Sequence, residues 1–124
     1  MIARFLLVCL GGAVGSGARY ATSLWAAGAI STAFPFGTLI VNVGGSFLLG
    51  FLMHVVPLSS DVRLMLTTGV MGGFTTYSTF NYETTQYLRE GAWAMAFVNI
   101  AATLIGCLLA GLLGLALARL IFGR

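Results

Sequence analysis

The sequence predicts an all-α integral membrane protein with a single transmembrane domain, residues 1–124, and four transmembrane helices, the third broken near Gly72-Gly73. Hydrophobic residues make up 59% of the chain and charged residues only 7%, against about 25% charged residues in an average soluble domain. Long uncharged runs recur along the chain, each close to the length that an α-helix needs to cross a bilayer. One of these runs is rich in glycine and hydroxyl residues, which is typical of a membrane segment that departs from regular helical geometry.

The first helix is predicted over residues 2–25. Its start is similar to a signal peptide, but the apolar run continues with packing glycines, so we expect the helix to be retained. Gly11 and Gly15 have the spacing that lets another helix backbone approach closely. Arg19 follows one turn later on the same face. It either ends the helix with its charge at the membrane surface or lies over a water-filled mouth, where it would attract anions.

The second helix is predicted over residues 36–56, a run without charge that is about 30 Å long as a helix. Asn42 and Ser46 stand one turn apart inside it. A buried asparagine often bonds to a neighbouring helix. Its amide can equally donate two hydrogen bonds to an anion, and the sequence leaves both interpretations open.

The third helix is predicted over residues 62–89. Its centre combines the glycine pair Gly72-Gly73, which lowers helix propensity by about 1 kcal/mol per glycine, with a run of threonine and serine hydroxyls. Non-helical backbone at membrane depth is tolerated only where protein buries it or where it lines a water-filled cavity. The segment therefore indicates an ion site or a permeation pathway.

The fourth helix is predicted over residues 92–120. Asn99, Thr103 and Cys107 recur every four residues and form one polar stripe. The stripe either holds helices together or supplies a ladder of hydrogen-bond donors. Cys9 and Cys107 lie in apolar runs, and their spacing suggests neither a metal site nor a redox motif.

The arginines indicate a weak orientation bias. Four spans place both termini on one side, with Arg4, Arg63, Arg119 and Arg124 there and Arg19 and Arg89 on the other. A strongly oriented protein has a more uneven count, so insertion in both orientations is expected. Four helices are too few to enclose a pore, and the glycine-rich faces of helices 1 and 3 offer a second copy somewhere to dock. We therefore expect a homodimer.

Three segments taken together resemble the Fluc fluoride channels, the CrcB family. Residues 11–19 read Gly-Gly-Ala-Val-Gly and end in arginine, residues 37–42 begin Gly-Thr-Leu and end Val-Asn, and residues 69–83 contain Gly-Gly-Phe-Thr-Thr-Tyr-Ser-Thr-Phe and end in glutamate. They occur in the family's order, and the similarity covers nearly the whole chain. The third segment is long and unusual, so the similarity is specific.

The resemblance implies an antiparallel, dual-topology homodimer in the inner (plasma) membrane of a prokaryote. Such a dimer has two pores through which cytoplasmic fluoride leaves passively, and a structural sodium ion (Na+) on its axis. The implied partners are a second copy, membrane lipid and fluoride, with no nucleic acid, no other protein and no enzymatic activity. A heterodimer with a second gene product stays open.

The resemblance also implies site residues. Backbone carbonyls of Gly72 and Thr75 would hold the sodium ion, and Arg19 and Glu83 would face the vestibule. Tyr77 stands where the family usually has phenylalanine. The fluoride pore would be lined by Asn42, Tyr77, Ser78, Thr79, Phe80, Asn99 and Thr103, with Cys107 at a further position.

Two rival classes have weaker support. A small proton-coupled multidrug exporter would have a similar size and topology, but its exchange chemistry needs a carboxylate deep in helix 1, and helix 1 has none. A non-transporting assembly subunit would explain the glycine spacing but not the hydroxyl-rich third helix. The chain has no phosphate-binding loop or nucleophile–base pair that would indicate a pump or an enzyme.

Overall fold

Every regular element is helical in the part of the chain that the computed structural model describes, residues 1–30, 32–57 and 59–123. The elements are α1 (Ile2–Ala29), α2 (Phe36–Val55), α3 (Asp61–Leu64), a π-helix (Met65–Met71), α4 (Gly72–Phe74), α5 (Tyr77–Arg89) and α6 (Trp93–Phe122). Three of them, α1, α2 and α6, are long and apolar enough to cross a membrane. The chain is therefore a multi-pass membrane protein.

Two helix ends differ from the prediction for local reasons. α1 continues to Ala29 because residues 26–29 are mostly alanine, a strong helix former, and the Ile30 N–H still donates to the Ala26 carbonyl at 2.9 Å. α2 ends at Val55 because Pro57 restricts the residue before it, and Val56 is extended.

The fourth predicted helix is longer than expected at its C-terminal end. α6 continues to Phe122 and ends where Gly123 adopts the left-handed conformation at φ 68°, which glycine does without steric cost. Arg124, counted in the predicted charge bias, lies outside the described residues.

The third predicted helix is a composite. α3, the π-helix and α4 follow one another without interruption, and we call this rod the proximal segment (residues 61–74). The Ser60 hydroxyl caps its start by accepting the Arg63 N–H at 3.1 Å. The π-helix was not predicted; such wider turns are rare and often occur at functional sites.

The break lies at Thr75-Thr76 and not at the glycine pair, so the predicted position is wrong by three residues. Gly72 and Gly73 are helical, whereas Thr75 and Thr76 are extended, with φ −82° and −151°. Gly73 serves close packing, because a Cβ there would lie 2.5 Å from the Gly12 carbonyl oxygen of α1.

α1 packs against the proximal segment through glycines on both sides. A Cβ on Gly11 would meet the Met65 carbonyl oxygen at 2.6 Å, and one on Gly69 would meet the Cα of Gly11 at 3.0 Å. Gly15 is buried against the backbone of Val70. Gly11, Gly15 and Gly69 are therefore occupied within one chain, so the expected docking of a second copy cannot use them.

α2 packs against α6 in the same manner. Gly50 contacts the backbone of Gly111, and Gly114 contacts the backbone of Phe47. Gly114 and Ala110 are buried, as the small-residue spacing of the predicted fourth helix suggests.

Three contacts fix the directions of the helices. Arg4 pairs with Asp61 at 2.8 Å, which joins the starts of α1 and the proximal segment. The Tyr87 hydroxyl donates to the Ala33 carbonyl at 2.6 Å, which places the end of α5 beside the loop that follows α1. The rings of Phe51 and Phe122 meet at 6.2 Å, so α2 and α6 end together. Successive helices thus alternate in direction, and residues 61–89 run the same way as α1.

Candidate functional site

The break in the third helix is held open by one asparagine of α2. The Asn42 amide nitrogen donates to the Thr76 carbonyl at 3.0 Å, and the Asn42 Oδ1 accepts the Thr76 N–H at 2.7 Å. Both residues are buried. Since a buried peptide group without partners is costly, this pair of hydrogen bonds, which we call the clamp, stabilises the non-helical backbone. The structural interpretation of Asn42 is correct, and its second amide hydrogen is left for another acceptor.

The clamp and the next helix cap release two backbone carbonyls. The Thr76 N–H donates to Asn42 and not to the Gly72 carbonyl four residues earlier. The Thr79 N–H donates to the Thr76 hydroxyl at 3.2 Å and not to the Thr75 carbonyl. Gly72 is exposed, and a Cβ there would meet open space. The carbonyls that the resemblance assigns to sodium are thus among those that lose their helical donors at the break.

A cleft of about 290 Å³ lies beside the break, between α2, α5 and α6. We call it the central cleft. The Thr103 hydroxyl at its wall is buried and has no hydrogen-bond partner among the described residues. Four predicted pore residues line the central cleft, namely Asn42, Tyr77, Phe80 and Thr103, together with Gly45, Ser46, Leu49, Thr75, Thr76, Leu104 and Cys107.

Two aromatic rings stand at the start of α5. The ring centroids of Tyr77 and Phe80 are 5.6 Å apart, with an interplanar angle of 56°. Phe80 is 6% exposed, whereas Tyr77 is 74% exposed on the surface of the single chain. The rings therefore contribute differently: Phe80 belongs to the wall of the cleft, and Tyr77 stands at its rim.

Asn99 lies outside the central cleft. Its amide nitrogen donates to the Thr84 hydroxyl at 3.0 Å, and that hydroxyl donates to the Phe80 carbonyl at 2.8 Å. Asn99 is only 1% exposed. In the single chain it therefore joins α6 to α5, and the predicted pore role has no support from its position.

The two remaining hydroxyls of the predicted pore follow Thr76. Ser78 and Thr79 are both exposed, and their oxygens lie 3.3 Å and 2.9 Å from the Thr76 hydroxyl. The three hydroxyls form a small network at the start of α5. Thr79 extends it towards the second cleft of the molecule.

That second cleft, the end cleft, has a volume of about 680 Å³ and lies where α1 meets the loop before α2. Glu83 lines it, as does Thr38, whose hydroxyl donates to Glu83 Oε1 at 2.5 Å. The other carboxylate oxygen of Glu83 is buried without a partner among the described residues. Arg19, the other predicted vestibule residue, is half-buried one turn before Ser23, a lining residue of the end cleft.

Sequence reasoning missed the partners of its own candidates. Thr38 stands one turn before Asn42, and Thr84 one turn after Phe80, so both lie at helical spacing from predicted site residues. That spacing was the available signal. No cluster of histidine, cysteine, aspartate or glutamate able to hold a metal occurs in the described ranges.

Comparison with known proteins gives one consistent result. A family described as "CrcB-like protein, Camphor Resistance (CrcB)" matches residues 6–115. The chain is 53% identical to the fluoride-specific ion channel FluC of Anaeromyxobacter sp. (strain K), over 98% of this chain and 100% of the relative. It is 51% identical to the protein of that name from Sorangium cellulosum (strain So ce56) and 44% identical to the one from Clostridium perfringens (strain 13 / Type A), each over 94% of both chains.

Proposed function

Because this chain belongs to the CrcB family, we propose that it is a passive, fluoride-selective channel through which cytoplasmic fluoride leaves a prokaryotic cell across the inner membrane. The chain is a membrane transporter and not an enzyme. Its similarity to proteins named fluoride-specific ion channels supports the permeant ion. The observation that carries a conducting mechanism is the central cleft, where buried donors converge on a broken membrane helix.

The cleft suits a small, strongly hydrated anion. A selective path must replace the ion's water with donors that bind it without holding it, and uncharged donors meet both needs. The buried Thr103 hydroxyl and the second amide hydrogen of Asn42 are such donors. The rings of Phe80 and Tyr77 offer positive edges. The N-terminus of α5 opens on the same cleft, and helix N-termini attract anions.

The remaining predicted residues take supporting roles. Ser78 and Thr79 continue the line of hydroxyls from the central cleft towards the end cleft, which we propose is the vestibule. Glu83 and Arg19 would then set the charge at the mouth. Asn99 would act by holding α5 against α6.

We propose that residues 61–89 form the third of four spans and that two chains assemble antiparallel. The direction of these residues, end to end along α1, supports the crossing. Gly72, which is exposed just before the break with open space above it, supports a meeting place for two copies, which would give two pores per dimer.

A sodium ion fits this arrangement. The Gly72 and Thr75 carbonyls lose their helical donors, and carbonyl oxygens are ligands for hard cations. Two chains would bring four such oxygens together, and the bound cation would neutralise their mutual repulsion. Gly72→Leu should therefore reduce the dimer fraction in detergent while leaving membrane insertion intact. An unchanged dimer fraction would contradict this assembly.

The function is tested by fluoride efflux from liposomes that contain the purified protein. We expect rapid fluoride release that is driven by the fluoride gradient alone when a potassium ionophore lets potassium leave with it as the balancing charge, with little release of chloride and none of a quaternary ammonium dye. Release of the dye would favour an exporter, and no release would favour an assembly subunit. Tags on both termini, found on one membrane face only in cells, would refute the antiparallel arrangement.

A further inference from the structure

A third pocket lies at the end of the molecule that holds both chain termini. It has a volume of about 220 Å³ and shares no lining residue with the central cleft or the end cleft. It lies between the start of α1 and the start of the proximal segment. Its polar lining is supplied by Arg4, Ser59, Ser60, Asp61, Arg63 and Thr67.

Arg63 is held in place at this pocket by its neighbours. One terminal nitrogen donates to the Val56 carbonyl at 3.2 Å, and the other lies 3.1 Å from the Met53 sulfur. A guanidinium has five N–H donors in a planar fork, so these two contacts leave others for a ligand. Because the side chain is already ordered, a ligand that binds it loses little additional conformational entropy.

Arg4 completes the positive side of the pocket. Only its Nε–H is used in the pair with Asp61. Among the described residues nothing accepts a hydrogen bond from its two terminal nitrogens, so they can donate to a ligand. The lining contains two arginines and one aspartate, and it therefore carries a net positive charge. Arginine forks match the geometry of phosphate oxygens.

The two helix starts that form the pocket also carry exposed apolar side chains. Phe5 follows Arg4 and is 67% exposed, and Val62 stands between Asp61 and Arg63 and is 56% exposed. A free anion would gain nothing from these side chains. The acyl chains of a lipid would cover them, and basic pockets at the ends of membrane helices bind lipid head groups.

We propose that this pocket binds the phosphate of an anionic phospholipid, with the head group between Arg4 and Arg63 and the acyl chains along Phe5 and Val62. A free phosphate ion has the same oxygen chemistry, and the exposed apolar side chains on the same two helix starts are what favour the lipid. The site is separate from the fluoride pathway, so its test needs no transport measurement.

The test is lipid binding to the purified protein in a neutral detergent, followed by native mass spectrometry. Phosphatidylglycerol should bind about fivefold or more tightly than phosphatidylcholine with the same acyl chains, the effect expected of one net charge at a membrane surface. Equal binding of the two lipids would overturn the proposal. Displacement of the lipid by an equal concentration of inorganic phosphate would assign the pocket to a free anion and overturn it as well.

Removing a positive charge and removing a negative charge at this pocket should change lipid affinity in opposite directions. Arg4→Gln should weaken phosphatidylglycerol binding about fivefold, and Asp61→Asn should strengthen it by a similar factor because it removes a negative charge and releases Arg4. Both side chains are more than half exposed, so these variants should fold. Arg119→Gln, an exposed arginine at the same end but outside the pocket, is the matched control and should change binding less than twofold. Equal effects of Arg4→Gln and Arg119→Gln would refute a defined site.

Discussion

Removal of the Asn42 amide is the most direct test of how the site is built. Asn42→Ala leaves the N–H and the carbonyl of buried Thr76 without their partners, which are now at 2.7 Å and 3.0 Å. Each orphaned group costs about 1–3 kcal/mol. The Thr76 N–H would then be free to return to the Gly72 carbonyl, which closes the break as ordinary helix. We expect a thermal midpoint lowered by several degrees, together with loss of fluoride release from liposomes.

The matched control is Asn81→Ala, the same substitution at an exposed asparagine of α5. It should leave both the midpoint and the flux unchanged. An Asn42→Ala dimer that melts and conducts like the parent would refute both the clamp and the pathway through it.

Asn42→Asp tests by charge whether the anion passes beside the clamp. The carboxylate still accepts the Thr76 N–H but cannot donate to the Thr76 carbonyl, and a carboxylate buried without a positive partner is costly, so the variant should be no more stable than Asn42→Ala. It also places a negative charge in the central cleft, which repels an anion, so fluoride release should be lost. If Asn42→Asp conducts fluoride like the parent, the ion does not pass through the central cleft.

Three further predictions follow from the same contacts. Gly15→Ala places a methyl group against the Val70 backbone and should lower the free energy of unfolding by about 1–3 kcal/mol, which is measured as a lower thermal midpoint. Gly17→Ala meets nothing within 4 Å and should leave the midpoint unchanged, so equal midpoints of the two variants would contradict the packing of α1. Tyr77→Phe should preserve fluoride release and Tyr77→Ile should reduce it strongly, and a dimeric isoleucine variant that conducts like the parent would reduce Tyr77 to a packing residue. Thr103→Val removes a buried hydroxyl that has no partner among the described residues. It should leave the thermal midpoint unchanged or raise it, and it should slow fluoride release. Unchanged release would remove Thr103 from the pathway.

Periodicity and composition predicted most of the fold. Long uncharged runs located α1, α2 and α6, because a helix in lipid must be apolar along its length. The composite third helix was recognised from its glycines and hydroxyls, but the break was placed three residues too early. Glycine propensity alone cannot tell a broken helix from a closely packed one, and at Gly73 the close approach of α1 decides the matter.

The site was predictable in its residue types and less so in its pairings. The sequence and the family resemblance together brought Asn42, Phe80 and Thr103 to one cleft. They did not indicate that Asn42 bonds to Thr76, or that Asn99 bonds to Thr84 and so lies away from the cleft. Which partner each asparagine finds depends on how its helix is rotated about its own axis. Close packing against the neighbouring helices sets that rotation, and a four-residue repeat in the sequence does not reveal it.

The clamp also bears on how the chain enters the membrane during synthesis. Unlike α1, α2 and α6, the proximal segment and α5 are not among the helices long and apolar enough to cross a membrane. The N–H and the carbonyl of Thr76, at their junction, bond to Asn42 of α2, which is synthesised 34 residues earlier. When the third segment emerges from the translocon, α2 already carries that partner and α1 already presents its glycine face. We therefore expect the placement of this segment in the membrane to depend on α1 and α2, so mutations in α2 should produce biogenesis defects that are detected in residues 61–89.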